Sequence, residues 1–535
     1  MNTKKYIGIT IGPIYKTLSM ARKTREMWGA SYIFSYLMRT IIEHLVDEKK
    51  GNIEPDCIII PSSHFIKEKK YHHGAGLYPD RLIFRSQNGD FEKVKKIVSE
   101  VLSNLGQSIG THIKKDIEQV KNYIANYFQV YFLEKEIEGG KNPVIELSPY
   151  LDTLELQQKF IPEDDSRCLA EFLDKVNHSF MFNDAFKHPD TAEMHMERFK
   201  SIIEISAAEL KKIDENRFNK IINEYNDREK KGIDDDEGFI ITELKKIPGI
   251  KEKKLFKTCH KYIAIVQADG DRIGDALKQI GNDEDKLKNF SEKLTQFAHN
   301  AAGKIAKYGG TPVYVGGDDL LFFAPVINGE SLLFEEENRK ISTVFSLIDA
   351  LDSKFKKIFK DASLSFGLSI SYYKFPLNEA LEQARDLLLK QAKHCTDEKG
   401  NEIKNALAFR VLKHSGAAFG ATFNKDSEIY IGFRKLLATF LSGDEKYLNS
   451  VIHTLQLHRG IFKHIGQDKK RVENFLENSF DEEIHEDYKP FLENTANLIF
   501  TVYSESQPGE NEERKFARIY AILRTMHFLK RKDNE

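Results

Sequence analysis

Two short acidic motifs carry side chains suited to chemistry. Asp269-Gly270-Asp271 follows the apolar run Tyr262-Ile263-Ala264-Ile265-Val266, and Gly316-Gly317-Asp318-Asp319 lies between Val313-Tyr314-Val315 and Leu320-Leu321-Phe322-Phe323. Clustered carboxylates repel one another and are costly without a cation. Mg²⁺ (or Mn²⁺) takes oxygen ligands from a few carboxylates and completes its shell with phosphates and water, so this acid set suits a phosphate-bearing substrate. Two such ions about 4 Å apart would activate an attacking hydroxyl and neutralise a leaving pyrophosphate.

The surrounding elements must bring the two motifs together. Tyr262 to Ala268 reads as a strand covered on both faces, which leaves Asp269 and Asp271 at the rim of a sheet. Gly316 and Gly317 permit positive φ and close backbone approach in a hairpin turn. In a β-α-β-β arrangement the end of the first strand lies beside the hairpin joining the second and third. Asp269 and Asp318, 49 positions apart (318 − 269), then converge. Alone, Gly-Gly-Asp-Asp also reads as a polar hairpin tip, because Gly and Asp are common turn formers. The second motif at the matching place favours a site. Lys393, on an expected helix from Leu377 to His394, would set a cation over a triphosphate, or is an exposed helix-end lysine.

The same pattern occurs twice. An early strand, Tyr6 to Ile11, turns at Gly12-Pro13 into a helix with Ile33, Leu37, Ile41 and Leu45 on one face; strands follow at Cys57–Ile60 and Arg81–Phe84, then a helix from about Phe91. Residues 150–255 read as a charged helical insert ending in the acidic run Asp234 to Glu237. The second copy places its strands at Tyr262–Ala268, Pro312–Val315, Leu320–Ala324, Ser363–Tyr372 and Ala406–Leu412, with helices near 284–308 and 335–360. The expected class is α+β, with two ferredoxin-like, palm/cyclase-type domains (1–149, non-catalytic, and 256–424, catalytic), the insert between them and a C-terminal helical bundle over 425–535.

Composition narrows the partners. Eighty Lys plus Arg against 82 Asp plus Glu give a net charge of −2, so any RNA contact must be a local patch. Four isolated cysteines form no Cys-x-x-Cys pair and read as reduced, buried thiols. No run is long enough to span a bilayer, and the short apolar strand near Met1 lacks a cleavage site; a cytoplasmic protein with no membrane partner is expected. His64, His72 and His73 have no accompanying ligands and read as loop histidines rather than a metal site. The basic residues Arg514, Lys515, Arg518, Arg524, Lys530 and Arg531 read as a solvated helix face rather than an RNA contact.

Taken together, Gly12-Pro13 with Ala21-Arg22-Lys23-Thr24-Arg25 and Trp28, Leu77-Tyr78-Pro79-Asp80-Arg81, Ala268-Asp269-Gly270-Asp271-Arg272-Ile273-Gly274, Gly316-Gly317-Asp318-Asp319 and Asn405-Ala406-Leu407-Ala408 resemble the large subunit of type III-B (Cmr) CRISPR effector complexes. Diguanylate cyclases use a related hairpin but are not expected to carry the Ala-Arg-Lys-Thr-Arg segment. The resemblance implies an enzyme that condenses ATP into cyclic oligoadenylate when its complex pairs a guide RNA with target RNA, among other Cmr subunits including the small helical one. It makes Asp269, Asp318 and Asp319 catalytic, with Asp271 joining them as metal ligands, and lays Gly270, Gly316, Gly317 and Lys393 along the nucleotide. The first palm, with Thr10, Gly12 and Pro13 where acids would stand, would hold a second nucleotide. Transfer of AMP to a different acceptor, or a scaffold role without catalysis, stay open. The family often carries an N-terminal His-Asp nuclease domain and a cysteine-rich zinc site in the insert. The sequence has no His-Asp dipeptide and no such cysteines, so no DNA cleavage by this subunit is expected.

Overall fold

The computed structural model describes residues 3–62, 73–157, 167–187, 194–231, 238–334, 339–396, 401–440, 445–480, 482–505 and 511–533. Four strands form the first sheet: β1 (Thr3–Gly12), β2 (Ile58–Ile60), β3 (Arg81–Arg85) and β4 (Gln129–Glu138), in the antiparallel order β2-β3-β1-β4. The second sheet follows from β5 (Tyr262–Asp271), β6 (Thr311–Gly316) and β7 (Asp319–Pro325), while β8 (Ile327–Phe334) and β9 (Arg339–Thr343) make a separate hairpin. It is completed by β10 (Ser363–Tyr372), β11 (Ala406–Leu412) and β12 (Ala418–Asn424), in the order β12-β11-β10-β5-β7-β6. The segment β10-β5-β7-β6 repeats the order of the first sheet, so both halves are ferredoxin-like, as expected.

The buried β5 residues divide between two cores, as a strand with both faces covered requires. Ala264, Val266 and Ala268 face the second half's own helices with Phe322 and Phe297; Ile263 and Ile265 join Val313, Leu321 and Phe323 in a core shared with the Thr24–Val46 helix of the first half. That helix contributes Ile33, Leu37, Ile41 and Leu45, all buried. Glu284 adds a polar clamp at the start of the Glu284–Lys307 helix. It accepts from Lys4 Nζ at 2.7 Å, Tyr6 Oη at 2.8 Å and Arg85 Nη1 at 3.0 Å, all on the first sheet.

Trp28 anchors the first half to the insert. It is fully buried, donates Nε1–H to the Gly74 carbonyl at 2.7 Å, and stacks against Tyr32 and Phe199 with ring centroids 5.1 and 5.6 Å away. Truncation of Trp28 to Ala leaves both a cavity and an unpaired carbonyl. Chemical denaturation should show a loss of about 3–5 kcal/mol.

The structure departs from expectation in four strands, the β8–β9 hairpin and the edge strands β4 and β12. A helix was expected from 335, but Arg339–Thr343 is β9 and the helix begins at Val344, where Thr343 Oγ1 accepts from the Ser346 N–H. The Ile341-Ser342-Thr343 sequence favours extended backbone, and Thr343 supplies the N-cap that starts the helix late. The edge strands β4 and β12 were not anticipated; β4 turns Glu134, Glu136 and Glu138 toward solvent, which breaks the apolar pattern of a strand. The insert is helical, with Phe218, Ile222, Ile240 and Leu244 in a core of their own; its Asp234 to Glu237 run lies outside the described residues. Helices fill the described residues after Ser427, and no helix among the described residues is long and apolar enough to cross a membrane.

Candidate active site

The acidic hairpin is set by its glycines. Gly316 pairs with Asp319, leaving Gly317 and Asp318 as a two-residue turn, and Gly317 has φ +77°, the positive first position that a type II′ turn requires. Antiparallel pairing of β5 with β7 reaches Ala268 opposite Leu320. One step further along the ladder sets Asp269 opposite Asp319. There the neighbouring carboxylate of Asp269 is one of the groups that favour the protonated form of Asp319. Gly270 allows Asp318 to close in: a Cβ there would stand 2.4 Å from Asp318 Oδ2. The structure thus gathers Asp269, Asp318 and Asp319 beside Gly270, Gly316 and Gly317.

Electrostatics mark the cluster as strained without a cation. Enclosure by the protein and then the neighbouring Asp269 push Asp318 up to about 6. Asp319 is raised well above the ordinary carboxylate range by enclosure, then by Asp318 and Asp269; because its side chain reaches solvent at the hairpin tip, the like-charge repulsion is the firmer cause. Among the described residues no three acids or histidines are already drawn onto one point at ligand geometry. The donor set nevertheless fits a hard divalent ion, which uses one or two carboxylates and leaves positions for phosphate and water.

Asp271 and Lys393 form the floor of the site. Asp271 is 1% exposed, and its carboxylate accepts from Ser363 Oγ (2.8 Å), Ser365 Oγ (2.8 Å) and the Asn405 N–H (3.0 Å). Lys393 Nζ lies 2.8 Å from Asp271 Oδ1 and 2.5 Å from Asp269 Oδ2, and donates to the carbonyls of Asp269 (3.0 Å) and Gly270 (2.8 Å). Asp271, expected among the metal ligands, accepts these hydrogen bonds and anchors Lys393. Expected over a triphosphate, Lys393 is held against the acids. The helix Leu377–Asp386 passes into a π-helical turn, Leu387–Ala392, that delivers Lys393, and Gly367 of β10 lets that backbone approach; a Cβ there would meet the Ala384 carbonyl at 2.0 Å.

Two sets of residues were not anticipated as parts of the site. Ser363 and Ser365 looked like ordinary strand residues, although their alternate spacing faces one side of β10. Asp80 comes from the first half. The Ile11 N–H donates to the Asp80 carbonyl at 3.0 Å, one step beyond the Thr10–Arg81 pair, which extends the β1–β3 ladder to Asp80. Its charge contributes to raising Asp319. Gly76 of the same loop bridges to Tyr314, and its carbonyl accepts the Val315 N–H at 2.9 Å, seating the loop on the edge of β6. His64 and His72 lie outside the described residues; His73 is lowered to about 4 by burial, then by His299 and His195.

Comparison with known proteins agrees with this architecture. Residues 262–408 match the Cas10/Cmr2 second palm domain and residues 6–124 match the N-terminal part of the CRISPR-associated protein Cmr2. The Cmr subunit Cmr2 of Pyrococcus furiosus is 31% identical over 136 residues, a stretch covering 24% of this chain and 13% of that relative. Among solved structures, the type III-B Cmr-beta complex in its apo state has a chain similar over 89% of this one and 77% of its own length (TM-score 0.57, 12% identity). The same complex bound to cognate target RNA gives 98% and 83% (TM-score 0.52, 11% identity), and a Csm1–Csm4 cassette in complex with one ATP gives 93% and 69% (TM-score 0.51, 11% identity). At these identities the structural likeness concerns the fold. Matching models thus fall on both ferredoxin-like halves, and in both halves the chain is similar to Cas10/Cmr2 proteins.

Proposed function

We propose that this chain, within an RNA-guided type III effector complex, converts ATP into cyclic oligoadenylate when target RNA is bound. The observation that carries the reading is the cluster of Asp269, Asp318 and Asp319 at a glycine hairpin, kept close at an electrostatic cost. A solved relative in complex with one ATP supports the choice of nucleotide. Asp269, Asp318 and Asp319 would hold Mg²⁺ (or Mn²⁺), which when bound would polarise the phosphates and stabilise the leaving pyrophosphate.

The chain's own residues do the rest. Gly316, Gly317 and Gly270 leave room for phosphates against backbone. Lys393 balances the acids from below, through Asp271. The first half, lying against β6, supplies a platform for the second nucleotide, whose hydroxyl attacks. Mass spectrometry of the product tests the reading: a ring of adenylates is expected, and a mixed adduct would instead show AMP passing to another acceptor.

A second readout needs no turnover. Asp318 holds its proton to about pH 6 in the folded chain, whereas an unfolded aspartate loses it near 3.8. Between those values the unfolded state binds fewer protons, so the site lowers stability as pH rises. A cation removes that cost only where the acids are ionised. Thermal melts should show Mg²⁺ raising Tm more at pH 8 than at pH 5; equal shifts would mean the acids do not hold it.

A further inference from the structure

A cavity of about 200 Å³ lies where the start of the Thr24–Val46 helix, the helical insert and the residue after β10 meet. Arg22, Arg25, Arg198, Ser201, Asn226 and Tyr373 are in its wall, and it shares no residue with the acid cluster. Arg25 is fixed by donating to the Asp174 carbonyl at 2.9 Å and carboxylate at 2.8 Å, and Arg198 by Glu204 at 2.8 Å. Arg22 is exposed and makes no ion pair among the described residues. The one carboxylate in the wall, Glu229, is engaged by Lys23 at 3.6 Å.

Two polar groups in this wall are unspent. Ser201 occupies the N-cap position of the Ile202–Ser206 helix, yet its hydroxyl caps nothing; it is buried without a hydrogen-bond partner among the described residues. Asn226 Nδ2 is likewise buried and unpartnered. Protein interiors rarely leave such groups unsatisfied. Guanidinium, amide and hydroxyl donors around a small cavity match the several oxygens of a phosphate better than a neutral ligand.

We propose that this cavity binds a phosphate ester, carried either by a free nucleotide or by an RNA chain, and that its occupant ties the two halves and the insert together. The proposal is independent of the ATP-converting reading. Equilibrium dialysis of the full chain in EDTA, which silences a cation-dependent site, should show saturable binding of AMP or of a 5′-phosphorylated tetra-adenylate. Binding of AMP would identify the nucleotide source; binding of the RNA alone would identify the chain. Asn226→Asp, nearly isosteric but anionic, and Arg22→Glu, on an exposed side chain, should each weaken binding about tenfold with unchanged thermal melts, while Asp318→Asn leaves it intact. Absence of binding by both probes, binding indifferent to both cavity variants, or binding abolished by Asp318→Asn would overturn the proposal.

Discussion

Asp319→Asn should reduce ATP consumption by about 10³-fold while leaving the apo chain slightly more stable than the wild type. The two effects share one cause. Asp319 faces Asp269 across the end of the β5–β7 ladder, and Asp318 is held beside them by the room at Gly270. Replacing one carboxylate by an amide removes a like charge, relieves the repulsion and allows a neutral hydrogen bond to Asp269. It also removes an oxygen ligand where charge develops during nucleotidyl transfer, a loss of about 3–4 kcal/mol of transition-state stabilisation. Rate assays with the assembled complex and melts of the chain alone check the pair. An acid kept only for folding would give the opposite sign in the melt.

Lys393→Met should cost stability as well as activity. Lys393 joins the exposed edge of the acid cluster to its buried floor, with Asp271 only 1% exposed and fully committed to Ser363, Ser365 and Asn405. Without the ammonium, Asp271 keeps its hydrogen bonds but becomes an uncompensated buried charge. Breaking such a pair costs about 3 kcal/mol, and activity should fall about 100-fold as Asp269 and Asp271 lose their common counter-charge. Denaturant unfolding of Lys393→Met, Asp271→Asn and the double variant separates the causes. The double variant should be more stable than the sum of the single losses predicts, because the buried charge is gone.

Much of this site was legible because its signals are local. Gly316-Gly317-Asp318-Asp319 fixes its own turn, and the apolar run ending at Asp269 announces a buried strand meeting a polar rim. Topology then brought the motifs together. The role of Asp271 was not legible: whether a carboxylate faces a ligand or the core depends on residues 92 and 94 positions away, Ser363 and Ser365, that carry no motif. Asp80 was hidden for the same reason, since its place follows from the ladder of the first sheet and the seating of Gly76 on β6. The fold followed a similar division. Strands with both faces buried declared themselves by composition, whereas β4 and β12 lie at sheet edges where one face is solvated and the pattern weakens.

The central claim is that the acid hairpin turns ATP over in response to RNA. The direct measurement is pyrophosphate released by the reconstituted complex with guide RNA, Mg²⁺ and ATP, before and after target RNA is added. Release that begins with target RNA, and is absent from the Asp318→Ala, Asp319→Ala complex, is the predicted result. ATP left unconsumed by the intact complex, or consumed equally well by the double variant, would contradict it.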